Sequence, residues 1–491
     1  MIRLKPRAIL ILIGLGWLCA SAVGFTQRGI PRKPTEPWRK HPPNSEDPRP
    51  FKLPAAREIK LDNGLTLILI EDHRAPVVTI TVGIPVEVSS SGDISALTNG
   101  VALTEATAEL ITEGAGSRTS EEVAREVETI GGRLSSSAND DYAWLAVSVV
   151  AENIERMIEL LGDVLLRPSY PESEVALYKR NRIQKLVVQR QDPSFLAGEQ
   201  FDRIVYGSHP YGISAPTPAS VEALDREKIV RFYDSQFAPS GSVTVIVGDF
   251  DARKIETKAR DVLGAWKTPR KRSADARAPD NLAGPSAVRV VLIDRPGSAQ
   301  ADFRIGGLAV SRAGADYFPL LVANAVLGAG TNSRLFLNVR EKKGYAYDVF
   351  SSVDALKQAG TFFSGAETRT EVTVSAIKEI LAEFDKLRAA NVGPEELQSA
   401  KNYLNGLFSL SLATQGGVAE RTLQSYMFEL RSDYLEGYRA RIDAVTAEQV
   451  RQAARKYLQT DRVTIVVVGD AAKLKRELAS LGPVSEVFSV P

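Results

Sequence analysis

The feature that most constrains this 491-residue chain is an internal repeat. Ala219 to Asp249 aligns without gaps on Ala440 to Asp470, 221 positions later. In each copy an amphipathic helix, Glu227-Lys228-Ile229-Val230 or Glu448-Gln449-Val450-Arg451, leads into a valine-rich strand. The strands read Val243-Thr244-Val245-Ile246-Val247-Gly248-Asp249 and Thr464-Ile465-Val466-Val467-Val468-Gly469-Asp470. Solenoid units run about 20–50 residues, so a period this long marks duplication of a whole domain. The expected fold class is α+β: two tandem homologous α/β-sandwich domains, with antiparallel-rich sheets and helices, forming a clamshell around a cleft. Residues 54–265 and 286–491 are the two halves. Residues 266–285, rich in Lys, Arg, Ala and Pro without periodicity, read as the linker. Ligand sites favour clefts of this kind.

Within the first half, Glu58 to Leu61 and Leu65 to Ile70 read as strands about an Asn63-Gly64 turn, followed by a strand over 77–84. A helix is expected from about Leu97 to Thr112. A second helix opens at Thr119-Ser120-Glu121-Glu122, a capping-box pattern. A strand over 144–150 and long helices over 152–167 and about 172–190 complete the pattern.

The N-terminus carries a different signal. Arg3, Lys5 and Arg7 precede an apolar run from Ala8 to about Cys19, and Ala20-Ser21-Ala22 offers small residues for cleavage. Residues 1–24 are read as a secretory signal peptide. The alternative is an uncleaved membrane anchor over residues 8–25, at the short limit for a bilayer span. Residues 25–53 hold seven prolines among charged residues and read as a stiff tether. Cys19 is the sole cysteine, which excludes an intrachain disulfide or a thiolate zinc cluster. Lys plus Arg total 61 against 60 for Asp plus Glu, so net charge gives no argument for a nucleic-acid partner.

Several ordered motifs then converge. They are Asp62-Asn63-Gly64-Leu65, Glu113-Gly114-Ala115-Gly116-Ser117-Arg118-Thr119 and Tyr206-Gly207-Ser208-His209-Pro210-Tyr211-Gly212, then Asp294-Arg295-Pro296-Gly297 and the run from Ser333 to Tyr347. On these the chain from about Arg57 onward resembles the pitrilysin/insulinase family of zinc peptidases, especially its shorter, processing-peptidase-like members. The resemblance implies an H-x-x-E-H zinc motif on an early helix, with a downstream glutamate as third ligand. The matching segment here is Glu105-Ala106-Thr107-Ala108-Glu109, with glutamates at both histidine positions and Ala108 at the general-base position. Gln184 and Lys185 stand where the third ligand is implied. The three histidines, His41, His73 and His209, are scattered and read as surface or loop residues. Glu105 and Glu109, four apart, read as a solvated helix face rather than a cation site. No metal ligand set is therefore expected in this chain.

The second half keeps what the resemblance assigns to substrate contact: Arg340 and Tyr347, seven apart. A guanidinium presents a planar fork of donors to a peptide carbonyl or carboxylate, and a tyrosine hydroxyl can donate to a developing oxyanion. The structural alternative is an Arg340–Glu341 ion pair beside a strand tyrosine. Gly131-Gly132 followed by Arg133 to Ser137 matches the family's substrate-pairing edge strand; the alternative is a plain exposed polar edge strand. Gly328-Ala329-Gly330 lacks the ending of a phosphate loop, and no Ser/His/Asp or Cys/His arrangement stands out. The expectation is a non-catalytic, substrate-contacting subunit of an exported, periplasmic bacterial metalloendopeptidase. Its partner is a homologous zinc-bearing subunit and its substrate an unfolded peptide. The alternative is a non-proteolytic peptide-binding or assembly protein of the same fold.

Overall fold

The computed structural model describes residues 54–87, 93–267, 282 and 284–488. The signal peptide, the tether and most of the linker fall outside the described residues. Trp266, placed by the sequence reading at the start of the linker, is instead buried in the first half. Its carbonyl accepts from Asn63 Nδ2 at 3.1 Å. Among the described residues no helix is long and apolar enough to cross a membrane.

Among the described residues twelve strands form two sheets. The first comprises β1 (Ala56–Lys60), β2 (Thr66–Glu71), β3 (Val77–Pro85), β4 (Arg133–Ala138), β5 (Tyr142–Val150) and β6 (Val243–Gly248). The second comprises β7 (Arg289–Asp294), β8 (Gln300–Ala309), β9 (Ala346–Ala355), β10 (Gly360–Arg369), β11 (Thr464–Gly469) and β12 (Val484–Phe488). Their orders are β1-β2-β6-β3-β5-β4 and β12-β7-β11-β8-β10-β9. From β2 and β7 inward the sequences of neighbours correspond strand for strand, with the repeated valine strands β6 and β11 third in each. Only the outer edge differs. An N-terminal strand, β1, adds antiparallel to β2, whereas a C-terminal strand, β12, adds parallel to β7.

Local signals act as expected. The Asn63-Gly64 turn joins β1 to β2, and Gly64 adopts φ +90°, which a side chain would strain. Thr119 caps the Ser120–Thr129 helix by the reciprocal pattern: Glu122 N donates to Thr119 Oγ1 at 3.2 Å, and Thr119 N donates to Glu122 Oε2 at 2.8 Å.

The two halves are pinned by an exchange of helices that the repeat alone does not reveal. The Pro193–Tyr206 helix of the first half lays Leu196, Ala197, Phe201 and Val205 on Val291, Ile293, Val466 and Val468 of the second sheet. Its counterpart, the Gln415–Met427 helix, begins 222 positions later and lies on the first sheet. There a Cβ on Gly83 would approach Leu423 Cδ1 to 2.7 Å, so the helix seats where the strand has no side chain. Polar bonds reinforce both seats. Gln415 Nε2 donates to Asp72 O at 2.9 Å and Tyr426 Oη to Glu58 Oε2 at 2.7 Å. Arg304 Nη2 donates to Ser194 Oγ at 3.0 Å, and Arg295 Nη1 to Gln191 O at 2.6 Å. Both halves accordingly belong to one compact unit.

Candidate functional site

Glu105, Ala108 and Glu109 lie on the Ile94–Leu110 helix, capped by Asp93, whose carboxylate accepts from Ser95 N at 3.0 Å. Its apolar face packs Ala102, Ala106, Ala108 and Leu110 into the first core, which leaves Glu105 and Glu109 half-buried on another side. This side is not a solvated face. The Glu172–Gln189 helix presents Arg182, only 9% exposed, whose Nε and Nη2 donate to Glu105 Oε2 at 2.9 and 2.7 Å. Arg182 Nη1 donates to Gln189 Oε1 at 3.2 Å, so the guanidinium is fixed from two directions. Burial pushes the Glu105 carboxyl up, and the Arg182 guanidinium opposes that push.

Beside this pair is a hollow of about 290 Å³ lined by residues including Glu109, Glu113, Glu174, Tyr178, Arg182 and Lys185. Burial, with Glu109 and Glu105 nearby, raises the Tyr178 phenol well above its ordinary range. The fold thus gathers the helix segment and the downstream segment that the resemblance pairs in a zinc site. The residues do not fit zinc. A hydrolytic site commonly uses two imidazoles and a carboxylate at about 2 Å. Here the best-placed carboxylate oxygen is already bonded twice to a guanidinium, with an ammonium lining the same hollow. Among the described residues no group of three or more His, Cys, Asp or Glu could hold a metal ion. His209 is buried, its Nε2 2.8 Å from Gln358 Oε1. His73 pairs with Asp249 at 2.6 Å. His41 lies outside the described residues.

In the second half the chain brings Arg340 and Tyr347 together. Arg340 lies on a π-helical segment, Phe336–Lys342, in which Lys343 N bonds Asn338 O at 3.0 Å across five residues. Such wide turns recur at functional sites because they re-aim side chains. The segment is buttressed from behind: Asn338 Nδ2 donates to Glu379 Oε2 and Glu383 Oε1 at 3.0 and 2.9 Å. Lys343 Nζ sits 2.8 Å from Glu379, holding that carboxyl below its usual value. Gly344, at φ +63°, turns the chain into β9, where Tyr347 is the second residue.

The Arg340 guanidinium carbon lies 4.5 Å from the Phe336 ring centroid and 4.9 Å from that of Tyr347. Tyr347 is 84% exposed. The contact with Glu341 is loose, 3.6 Å, so the ion-pair alternative accounts for little of Arg340's position. Arg340 is held by stacking, which leaves its N–H edge free of carboxylates closer than Glu341. Phe336, the ring beneath it, was not singled out from sequence; its spacing of four from Arg340 is the signal that could have found it. The matched strand is at a sheet edge: among the described residues β4 pairs only with β5 and ends its sheet.

Comparison with known proteins agrees with this architecture. Residues 69–216 match the model for insulinase (peptidase family M16), and residues 223–404 match that for the peptidase M16 inactive domain. An uncharacterized zinc protease of Streptomyces coelicolor is 26% identical over 417 residues, 84% of this chain and 89% of that one. Another from Mycobacterium leprae is 24% identical over 415 residues, covering 83% and 91%. Among solved structures, a peptidase M16 inactive domain from Pseudomonas fluorescens superposes with TM-score 0.77 at 23% identity, covering 84% of this chain and 98% of that one. A protease from Helicobacter pylori gives TM-score 0.77 at 17% identity, covering 85% and 100%. With both of its peptidase-family domains matched across the duplicated fold, this chain belongs to the pitrilysin/insulinase peptidase family, M16.

Proposed function

We propose that this chain is the non-catalytic, substrate-contacting subunit of an exported heteromeric zinc metalloendopeptidase. Its zinc is carried by a homologous partner, and its own contribution is the Arg340–Tyr347 pair. The observation that carries this reading is the contrast between the two halves. In one, a half-buried arginine lies over an exposed tyrosine beside a buttressed segment. In the other, the segments that the resemblance would pair in a metal site hold the Arg182–Glu105 ion pair. Arg340 would bond a peptide carbonyl or carboxylate, and the Tyr347 hydroxyl would donate to the oxyanion that forms as the partner's metal-activated water attacks. Peptide would pair with an edge strand, β4 being the one the sequence points to. The curated relatives bear the name zinc protease, which supports peptide chemistry as the family's business. The charged, apolar, small-residue order of residues 1–24 supports export to a bacterial periplasm, with residues 8–25 as an alternative anchor.

The test is reconstitution. The purified chain is mixed with the same-fold, H-x-x-E-H-bearing protein of its host, and cleavage of unfolded peptides is followed. Activity is expected only in the mixture. Arg340→Ala or Tyr347→Phe is expected to lower kcat/KM by about 100-fold or more, the cost of one lost transition-state donor. An inert mixture that still binds peptide would instead establish the binding or assembly role. Full activity in the Arg340→Ala, Tyr347→Phe double variant would refute the assignment of the pair.

A further inference from the structure

The disagreement between the Glu105 region and a zinc site has a positive content. We infer that Arg182 is a tethered cation doing the structural work of a metal: it ties the Ile94–Leu110 helix to the Glu172–Gln189 helix and makes this half of the chain metal-independent.

Glu105 and Glu109 are four apart on one side of the helix, and Glu113 lies just past its C-terminal end, so like charges gather there and repel. Arg182 and Lys185, three apart on the facing helix, supply the opposing charge, and Glu109, Glu113, Arg182 and Lys185 line one hollow. Arg182 is the deepest of these groups. Its Nε and Nη2 converge on the single oxygen Glu105 Oε2, and its remaining branch reaches Gln189 Oε1 one to two turns along its own helix. A divalent ion approaching Glu105 would have to displace that guanidinium or sit against two positive charges. A cation carried by the chain also needs no recruitment from solution, so its hold on the two helices is independent of metal supply. The neighbouring Tyr178, 9% exposed, keeps its proton because burial and the glutamates oppose ionisation, so it adds no further charge to compensate.

Thermal unfolding of the full chain tests this. Wild type, Arg182→Ala, Glu105→Gln and the double variant are compared with excess EDTA and with excess ZnCl2. Neither reagent is expected to move the wild-type Tm. Arg182→Ala should lower Tm by roughly 5–10 °C, since a half-buried carboxylate loses its counter-charge. Adding Glu105→Gln should recover part of that loss, so the double variant falls less than the two single effects together. Should Arg182→Ala fail to fold, Arg182→Lys and Glu105→Gln carry the same comparison, each expected to lower Tm without making it chelator-sensitive. A wild-type Tm that drops on chelation, or single effects that simply add, would overturn the inference. Either result leaves the peptide-contact assignment of Arg340 and Tyr347 to be decided by its own assay.

Discussion

Replacing Leu423 by alanine should unfold both halves more easily, although the residue belongs to the second. Leu423 is 4% exposed on the Gln415–Met427 helix and packs in a cluster with Ile68, Ile70 and Val245 of the first sheet. Its Cδ1 lies so near Gly83 that a Cβ there would come within 2.7 Å. The seat is therefore tight, and a strand backbone beneath it has little freedom to collapse into the space left. Leu→Ala at such a site costs the transfer free energy of the lost carbons plus a cavity penalty, about 3 kcal/mol in total. Both tryptophans among the described residues, Trp144 and Trp266, are in the first half, and the sequence has none after Trp266. With Trp17 and Trp38 replaced by phenylalanine, fluorescence in urea reports the first half while far-ultraviolet circular dichroism reports both. The expected result is a single coincident transition whose midpoint shift, multiplied by m, gives about 3 kcal/mol by either probe. A fluorescence transition that stays at the wild-type midpoint while the dichroism becomes biphasic would refute the exchange of helices as the force joining the halves.

Three further outcomes follow from named groups. Phe201→Ala, on the reciprocal helix, removes a ring 5.8 Å from Phe363 and should cost about 3–5 kcal/mol in the same urea assay. Thr119→Ala breaks the capping box of the Ser120–Thr129 helix and should cost about 1 kcal/mol. Burial pushes Asp202 up to about 6 and Asp302 up to about 7, so the folded chain binds more protons than the unfolded one between about pH 4 and these values. Their contribution is present below the unfolded carboxylate value and lost as pH rises through the folded values. His209, held low by burial, acts oppositely, its contribution fading as pH falls below its unfolded value. Asp140 is likewise pushed up to about 7. These carboxylates outweigh the one imidazole, so Tm is expected to rise from about pH 7.5 to about pH 5.5, and Asp202→Asn should flatten that rise.

Much of the fold was legible because duplication writes itself twice. The valine strands at 243 and 464 were readable as equivalent strands, which the structure places third in both sheets, and Thr119-x-x-Glu122 marked its helix start to the residue. The helix exchange was not legible. Leu196, Phe201 and Val205 announce a buried face, but apolar spacing is silent about which sheet covers it. That helix starts at Asp192-Pro193, with Ser194 N donating to the Asp192 carboxylate at 2.9 Å. The solvated reading of Glu105 failed for a similar reason. The resemblance points to Gln184 and Lys185, whereas the partner is Arg182, on the same helical stripe as Tyr178 and Lys185. Charge partners across two helices depend on their packing, which local periodicity does not contain. Arg340 and Tyr347 were legible only through the resemblance carried by the run from Ser333 to Tyr347; the structure adds that a short turn at Gly344 brings their elements together.

Metal content tests the central claim most directly. The isolated full chain is equilibrated with excess ZnCl2, desalted, and assayed for zinc by mass spectrometry and for peptidase activity in the same preparation. The account predicts zinc far below one equivalent and no peptide cleavage. One zinc per chain, accompanied by cleavage that chelation abolishes, would contradict it and make this polypeptide a complete enzyme.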